Sequence, residues 1–248
     1  MMKVLRVLFG CYAAIVFSLS LLIVFPAYFL IFSLTGRNKS ARYAHNLSRL
    51  WALFLFRCFF IRYEVRNSHY IHPDKCYVFA ANHKSMLDIP LFARACSNTF
   101  RFLSKAELAR IPLLGYVIRR LYITVNRSDR RDRQRSIEVM KKTIEEGISV
   151  FLCPEGTRNI SDAPLMPFKD GAFRLAIATQ TPLAVLTVVN SDKLLSPESP
   201  IALSPGKIIA EWSVPVSTKG MTEKDVEFLK NKTIALMEGV LQKHSTKN

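Results

Sequence analysis

The chain has 248 residues, half of them hydrophobic, and 35 Lys and Arg against 19 Asp and Glu give a formal net charge of +16. This length suffices for one sizeable α/β core with an appended segment, and the charge predicts a polyanionic neighbour, either nucleic acid or an anionic membrane surface. The five cysteines are odd in number and have no C-x-x-C spacing, which argues against a disulfide framework or a zinc site and fits a reducing cytoplasm.

The N-terminal segment is the first predicted element. Residues 7–36 contain no charged side chain, and because about 20 apolar residues span the hydrocarbon core, they predict a membrane anchor. A signal peptide is disfavoured because the apolar part is too long and lacks a small-x-small cleavage site. Pro26 and basic residues on both flanks leave a re-entrant or interfacial helix pair open as the alternative to a single span. The apolar run also favours a membrane over nucleic acid as the polyanion.

An aromatic-rich segment follows at residues 47–61 and is too short to span a membrane. It predicts an interfacial amphipathic helix with Trp51 at the level of the lipid headgroups; a helix buried under the sheet is the alternative. Arg37, Arg42 and Arg49 follow the apolar run closely. The domain behind them is therefore expected at the cell membrane, on its cytoplasmic side.

From residue 62 onward, short β-like runs alternate with helical patterns. Strands are predicted at residues 63–65, 76–80, 100–103, 122–125, 149–152, 184–189 and 208–212. Helices are predicted at residues 134–146 and 171–179, and a surface helix at 223–243 closes the domain. This alternation predicts an α/β fold, a single mixed sheet of about seven strands flanked by helices. The predicted organisation is an N-terminal membrane-associated helical segment at residues 1–60 and an α/β domain at residues 61–248.

Two polar motifs stand directly after predicted strands. The first holds His83 and, five residues later, Asp88. A carboxylate on one imidazole nitrogen fixes the tautomer, so that the other nitrogen accepts a proton near neutral pH. The alternative is structural, because Ser85 and Asp88 also form an S-x-x-D capping box before an apolar run. The second motif, at residues 153–158, favours the functional interpretation, since two polar strand ends indicate one site.

The spacing of these motifs carries a family resemblance. Asn82-His83-x4-Asp88, then Pro154-Glu155-Gly156-Thr157-Arg158, then Phe168-Lys169-x-Gly171-Ala172 resemble the glycerolipid acyltransferases, most closely the bacterial lysophosphatidic acid acyltransferases. The resemblance covers roughly residues 60–215. It implies attack of a substrate hydroxyl on an acyl thioester, supplied by acyl-CoA or acyl carrier protein, with no metal or other cofactor. His83 is then the base and Asp88 orients it, and the already activated thioester needs no enzyme nucleophile.

The resemblance also implies an acceptor site for lysophosphatidic acid. Arg158 is interpreted as a clamp on the acceptor phosphate, because a guanidinium offers phosphate a planar two-pronged fork. In the same motif, Gly156 allows the backbone to come close to a ligand, Glu155 holds a substrate hydroxyl or braces an arginine, and Thr157 is counted with them as substrate-binding. Lys105 and Arg127 match basic residues that bind the acceptor phosphate in the family. The alternatives are a plain loop with a solvated Glu–Arg ion pair and two solvated surface charges.

One further feature bears on partners. Arg127, Arg130, Arg131, Arg133 and Arg135 form a cluster that is either a solvated helix face or a contact for lipid phosphates or for the acidic carrier of the acyl donor. Aromatic residues are not interleaved with it, so no nucleic-acid partner is expected.

One departure from the family pattern concerns specificity. Residues 181–186 keep one of two prolines that the family carries there, which leaves the acyl pocket and the acceptor open. Acylation of another lyso-lipid, such as lyso-ornithine lipid, and a non-catalytic basic membrane adaptor or lipid-anchored nucleic-acid binder are the competing hypotheses. Intact His83, Asp88 and Glu155 argue against a pure binder.

Overall fold

The sheet and its helices are seen in a computed structural model that describes residues 2–245, apart from the side chains of residues 2, 37 and 38. The strands are β1 (Ile61–Arg66), β2 (Val78–Ala81), β3 (Phe100–Lys105), β4 (Ile123–Val125), β5 (Ser149–Leu152), β6 (Leu183–Val189) and β7 (Gly206–Trp212). The helices are α1 (Met2–Leu34), α2 (Arg37–Cys58), α3 (Asp88–Ala95), α4 (Leu114–Leu121), α5 (Arg130–Glu145), α6 (Gly171–Ala178), α7 (Ser191–Leu194) and α8 (Val226–Ser245).

All seven strands join one sheet in the order β1-β7-β6-β2-β5-β3-β4. Neighbours are parallel except β6 and β7, which are antiparallel. The predicted single mixed sheet of about seven strands is therefore confirmed, and each predicted strand overlaps an observed one. The carboxyl ends of β6, β2, β5, β3 and β4 share one edge of the sheet, whereas β1 and β7 run the other way.

The central strands are buried on both faces because helices cover both. Phe79 and Ala81 of β2 face a core shared with α2 and α3, and Val78 and Ala80 face a core shared with α5, α6 and α8. This alternation follows from the two-residue period of a strand. Strand β2, which carries His83 at its end, is buried along its whole length and holds the following turn in a fixed place.

Two helices begin earlier than the sequence pattern predicts. Helix α5 begins at Arg130 rather than at residue 134, because the Asp129 side chain caps it by accepting from the Arg131 amide at 2.8 Å. Helix α2 begins at Arg37 rather than at residue 47. Its first turns, which precede residue 47, are polar. Its Leu55 and Phe56 are buried in the core while Leu50 is exposed. One face of α2 is therefore buried under the sheet, as the second prediction for this segment has it.

Helices α1 and α2 form an antiparallel hairpin. Tyr28 Oη lies 2.7 Å from Ser48 Oγ, and the Trp51 indole donates to Ser20 Oγ at 2.9 Å. Trp51, expected at the lipid headgroups, is half-buried here because its N–H finds this partner inside the hairpin. Helix α1 continues through Pro26 without a break. Residues 7–34 therefore belong to one unbroken helix and are not divided into two at Pro26.

Helix α1 also packs along the α/β domain. Near its start Arg6 donates to the Lys193 and Leu194 carbonyls at 3.1 and 3.3 Å, and Gly10 lies so close to the Ile201 carbonyl that a Cβ there would overlap it. Within residues 2–245, Lys3–Leu34 is the one helix long and apolar enough to cross a membrane. Its outer side presents a row of exposed apolar side chains, namely Val4, Leu5, Leu8, Ile15, Leu19, Leu22, Ile23 and Leu30.

Candidate active site

The predicted site residues gather at the edge where parallel strands end. His83 follows β2, Glu155 follows β5, Lys105 ends β3 and Arg127 follows β4. These four strands are immediate neighbours in the sheet. In open α/β sheets, ligands bind outside the carboxyl ends of the strands. We call this row of strand ends the active edge.

His83 and Asp88 are paired as the sequence predicts. His83 Nδ1 lies 2.8 Å from Asp88 Oδ2, and the same oxygen accepts the Lys84 and Ser85 backbone amides at 2.9 and 2.8 Å. Asp88 is the first residue of α3 and is fully buried, whereas 17% of the His83 side chain is exposed. Asp88 thus orients His83 and accepts the Ser85 amide, which is one half of the predicted capping box; the other half is absent, because Leu87 is the N-cap of α3 and no side chain caps the helix. With Nδ1–H donating to Asp88, Nε2 is left as the proton acceptor.

Glu155 has another task than the one the sequence predicts. Its Oε1 accepts the His83 backbone amide at 2.9 Å, and its Oε2 accepts the Met166 amide at 3.0 Å. The residue is 1% exposed, and burial raises the pKa of its carboxyl, partly offset by these two hydrogen bonds. Both oxygens are thus used by backbone amides instead of a substrate hydroxyl or an arginine. Glu155 fixes the turn that carries His83.

Arg158 is the half-buried cation of the active edge that lacks a partner. Its Nε is buried without a hydrogen bond, and its guanidinium makes no ion pair with any residue from 2 to 245. The next residue holds it near the base, because the Asn159 amide donates to the His83 carbonyl at 2.7 Å. The alternative of a Glu155–Arg158 ion pair is not what the structure contains. An unpaired, partly desolvated guanidinium suits an anionic ligand.

Of the other predicted site residues, Arg127 braces the loop after β5, and Lys105 and Thr157 are exposed. Arg127 Nη1 donates to the Gly156 carbonyl, and burial lowers the pKa of Arg127. This contact braces the loop, a structural role that stands beside the phosphate binding predicted for Arg127. Lys105 is exposed and pairs with Glu107 at 3.2 Å, and Thr157 is exposed.

Gly156 explains why the motif needs a glycine. Its φ is +74°, in the left-handed region, and a Cβ there would lie 2.8 Å from the aliphatic carbons of Lys169. A side chain at this position would therefore strain the backbone and push Lys169 aside. Lys169 is exposed, so its ammonium stands beside the loop that holds Arg158.

Sequence reasoning missed two buried residues that hold the site together. Asn82 exchanges two hydrogen bonds with the Val188 backbone, at 2.9 and 2.7 Å, and ties the end of β2 to β6. Asn159 is fully buried and caps its own loop by accepting the Ser161 amide at 2.9 Å. Both stand inside the motifs, next to His83 and Arg158, and this adjacency is the signal that was available. Among residues 2–245, no group of three or more His, Cys, Asp or Glu is placed to hold a metal ion.

Comparison with known proteins agrees with this geometry. The acyltransferase family model matches residues 62–189. An uncharacterized acyltransferase of Schizosaccharomyces pombe is 30% identical over 183 residues, which cover 73% of this chain and 65% of that protein. The Mus musculus protein named 1-acyl-sn-glycerol-3-phosphate acyltransferase alpha is 29% identical over 218 residues, 85% of this chain and 73% of the relative.

A solved structure matches over almost the whole length. The crystal structure of the 1-acyl-sn-glycerophosphate (LPA) acyltransferase from Thermotoga maritima has a TM-score of 0.85 and 22% identity, and the match covers 99% of this chain and 98% of that one. At this identity the likeness establishes the shared fold. Some curated relatives are longer, and this chain spans 49% of one from Chlamydomonas reinhardtii.

Proposed function

Because the chain belongs to the acyltransferase family, we propose that it transfers a fatty acyl group from an acyl thioester to the free hydroxyl of 1-acylglycerol 3-phosphate, forming phosphatidic acid. The observation that carries this proposal is the His83–Asp88 pair at the active edge, held by a turn next to the unpaired Arg158. The family membership, the names of the relatives and the fold of the Thermotoga maritima enzyme support it.

In this mechanism His83 Nε2 accepts the proton of the acceptor hydroxyl while the oxygen attacks the thioester carbonyl. The carbon–sulfur bond breaks as the ester forms, and the thiolate leaves and takes the proton from the imidazolium. Asp88 stabilises that imidazolium from its buried position. The Lys84 and Ser85 amides hold the Asp88 carboxylate in place. Glu155 holds the turn that carries His83. The thioester is already activated, so the step needs a base and orientation and no covalent enzyme intermediate.

We also propose that Arg158 binds the acceptor phosphate. A guanidinium forks onto two phosphate oxygens, and Arg158 has its donors free in a partly buried position. Lys105 stands at the end of β3 on the same edge and adds a positive charge. These charges favour a phosphate-bearing acceptor over lyso-ornithine lipid. The acyl donor is proposed to be an acyl-CoA or acyl-carrier-protein thioester, with no further cofactor.

The membrane contact is proposed to lie on the outer side of α1. This side carries the row of exposed apolar residues, and burying each in lipid contributes about 1.5–3 kcal/mol. Since α1 is held along the domain by Arg6 and by α2, the hairpin is proposed to lie in the membrane surface instead of crossing it. The basic residues of α2 support a position of the α/β domain on the cytoplasmic side.

The test is an acyl-transfer assay with purified protein and a panel of lyso-lipids, with products identified by mass. His83→Ala is expected to lose at least about a hundredfold in turnover, the lower range for a general base, while its melting temperature and vesicle binding stay unchanged. His69→Ala, an exposed histidine away from the active edge, is the control.

Each outcome separates the hypotheses. Near-normal turnover by His83→Ala would overturn the mechanism. Transfer to lyso-ornithine lipid and not to lysophosphatidic acid would show that lyso-ornithine lipid is the acceptor. Absence of transfer to any lyso-lipid from either donor would favour the basic membrane adaptor.

A further inference from the structure

Four arginines occupy the first two turns of α5, directly after the active edge. Arg133 donates to the Arg127 carbonyl at 2.7 Å, and Arg135 pairs with Asp132 at 3.4 Å. Arg130 and Arg131 make no side-chain hydrogen bond or ion pair with any other described residue, and all four are exposed. The positive end of the helix macrodipole disfavours cations at this position. Positive side chains at the positive end of a helix are destabilising, and binding of an anionic partner offsets this repulsion.

The position of this cluster is set by the sheet. The cluster begins five residues after β4, and β4 lies three strands, or about 14 Å at about 4.8 Å per strand, from the strand that carries His83. Helix α5 packs through Met140 and Ile144 on the core that faces α6 and α8. The α1–α2 hairpin covers the other face of the sheet. The arginines are therefore at the active edge but on the side away from the exposed apolar row of α1.

We propose that this surface, formed by Arg130, Arg131, Arg133 and Arg135 with the exposed Ile137 beside them, docks an acidic carrier protein that delivers the acyl thioester to the active edge. The proposal deepens the proposed function and rests on it. Charge complementarity selects the partner, and Ile137, 39% exposed, gives the charged contact an apolar centre.

Two other anionic partners fit the geometry less well. A membrane surface is contacted by the outer side of α1 in the proposal above, and the α5 arginines lie across the sheet from it. A small nucleotide thioester such as a CoA derivative is expected in a concave site with converging donors, whereas these four side chains stand exposed on the outside of a helix. A macromolecule with a broad acidic face matches their spread.

The experiment compares two donors that carry the same acyl group, palmitoyl–acyl carrier protein and palmitoyl-CoA, on wild type and on Arg130→Glu/Arg131→Glu. Glutamate is favourable in the first turn of a helix, so this variant is expected to fold. The matched control is Lys219→Glu/Lys224→Glu. It changes the charge equally at two exposed lysines near Val216, which pairs with the start of β6 at the opposite edge. Binding of unacylated carrier protein is measured in parallel, independent of turnover.

The expected result is a fall of at least about tenfold in kcat/KM for the carrier-protein donor in the arginine variant, in the range of lost electrostatic steering. The CoA donor changes less than about twofold, carrier-protein binding is lost, and the lysine control resembles wild type. Equal loss with both donors, or loss of binding to anionic vesicles instead of carrier protein, overturns the proposal. A wild type that uses only CoA also overturns it but leaves the proposed acyl transfer standing, whereas no transfer from either donor refutes the proposed function itself.

Discussion

Replacing Asp88 with asparagine separates the charge of this residue from its geometry. Oδ2 accepts three donors, His83 Nδ1 and the Lys84 and Ser85 amides, whereas the buried Oδ1 has no partner within residues 2–245. In Asp88→Asn the amide oxygen is expected at the Oδ2 position, because the opposite orientation would point the NH2 group at two backbone N–H donors. The imidazole should therefore keep its tautomer, and only the negative charge is lost.

The magnitude follows from the one bond that changes during the reaction. A hydrogen bond to a charged group is worth about 1.5–3 kcal/mol and a neutral one about 0.5–1.5 kcal/mol. The imidazolium formed in the transition state thus loses about 1–2 kcal/mol, a fall of about 5- to 30-fold in kcat. This loss is smaller than the one expected for His83→Ala. Weakening the two backbone hydrogen bonds is expected to lower the free energy of unfolding by roughly 1 kcal/mol.

The assay is steady-state turnover at saturating donor and acceptor, together with thermal unfolding. Asp225→Asn is the matched control, because Asp225 also accepts a backbone amide at a helix start, from Thr222 at 2.7 Å, but lies away from the active edge. A kcat loss beyond about a thousandfold with an intact fold would refute the reasoning, since it would mean that the amide has turned and inverted the tautomer. Unchanged turnover in the folded protein would leave Asp88 as a helix cap alone.

Three further predictions concern other parts of the chain. Arg158→Ala should lower kcat/KM for lysophosphatidic acid at least about tenfold, with partial rescue by lysine, which lacks the planar fork; equal loss on a lyso-lipid without phosphate would contradict phosphate binding. Leu8→Glu/Leu22→Glu should weaken vesicle flotation at least about tenfold without lowering the melting temperature, since both side chains are exposed. Burial raises the pKa of Glu211, but hydrogen bonds from Lys243 and His244 outweigh it and lower the pKa below its ordinary value. Glu211→Gln should therefore cost roughly 2 kcal/mol of stability at pH 7. The gap to wild type should begin to narrow near the ordinary pKa of glutamate, about 4.3, and close as the pH falls through the lowered pKa of folded Glu211; a gap that persists once this carboxyl is protonated would contradict the prediction.

The Leu8 and Leu22 substitutions test membrane contact more specifically than deletion of α1 would. Deleting residues 1–36 would remove a membrane contact, but it would also uncover the core, because Ala13 and Tyr28 of α1 are 6% and 1% exposed. Loss of solubility or activity in such a truncation would have two causes. Substitutions on the outer side of α1 change the surface alone.

The strands were predictable from sequence because each is a short β-branched or aromatic run bounded by polar residues. The start of α2 was not, since residues 37–46 carry no apolar period. These turns form because Ala41 and Ala44 are buried against α1 and α4, a tertiary contact that local propensity does not report. The His83–Asp88 pair was predictable from spacing. The bracing by Glu155 and Arg127 was not, because it runs through backbone groups of His83, Met166 and Gly156 that no side-chain pattern encodes.

The contact between the two distant ends of the chain determines when the protein is able to fold during its synthesis. Arg6 bonds to the carbonyl of Lys193, 187 residues away, and β1 pairs only with β7. The apolar α1 therefore leaves the ribosome long before its docking site and the partner of β1 have been translated. During that interval the face of α1 that later packs on the domain is exposed. A nascent chain that ends before β7 therefore needs lipid or a chaperone to cover that face of α1 until the sheet is complete.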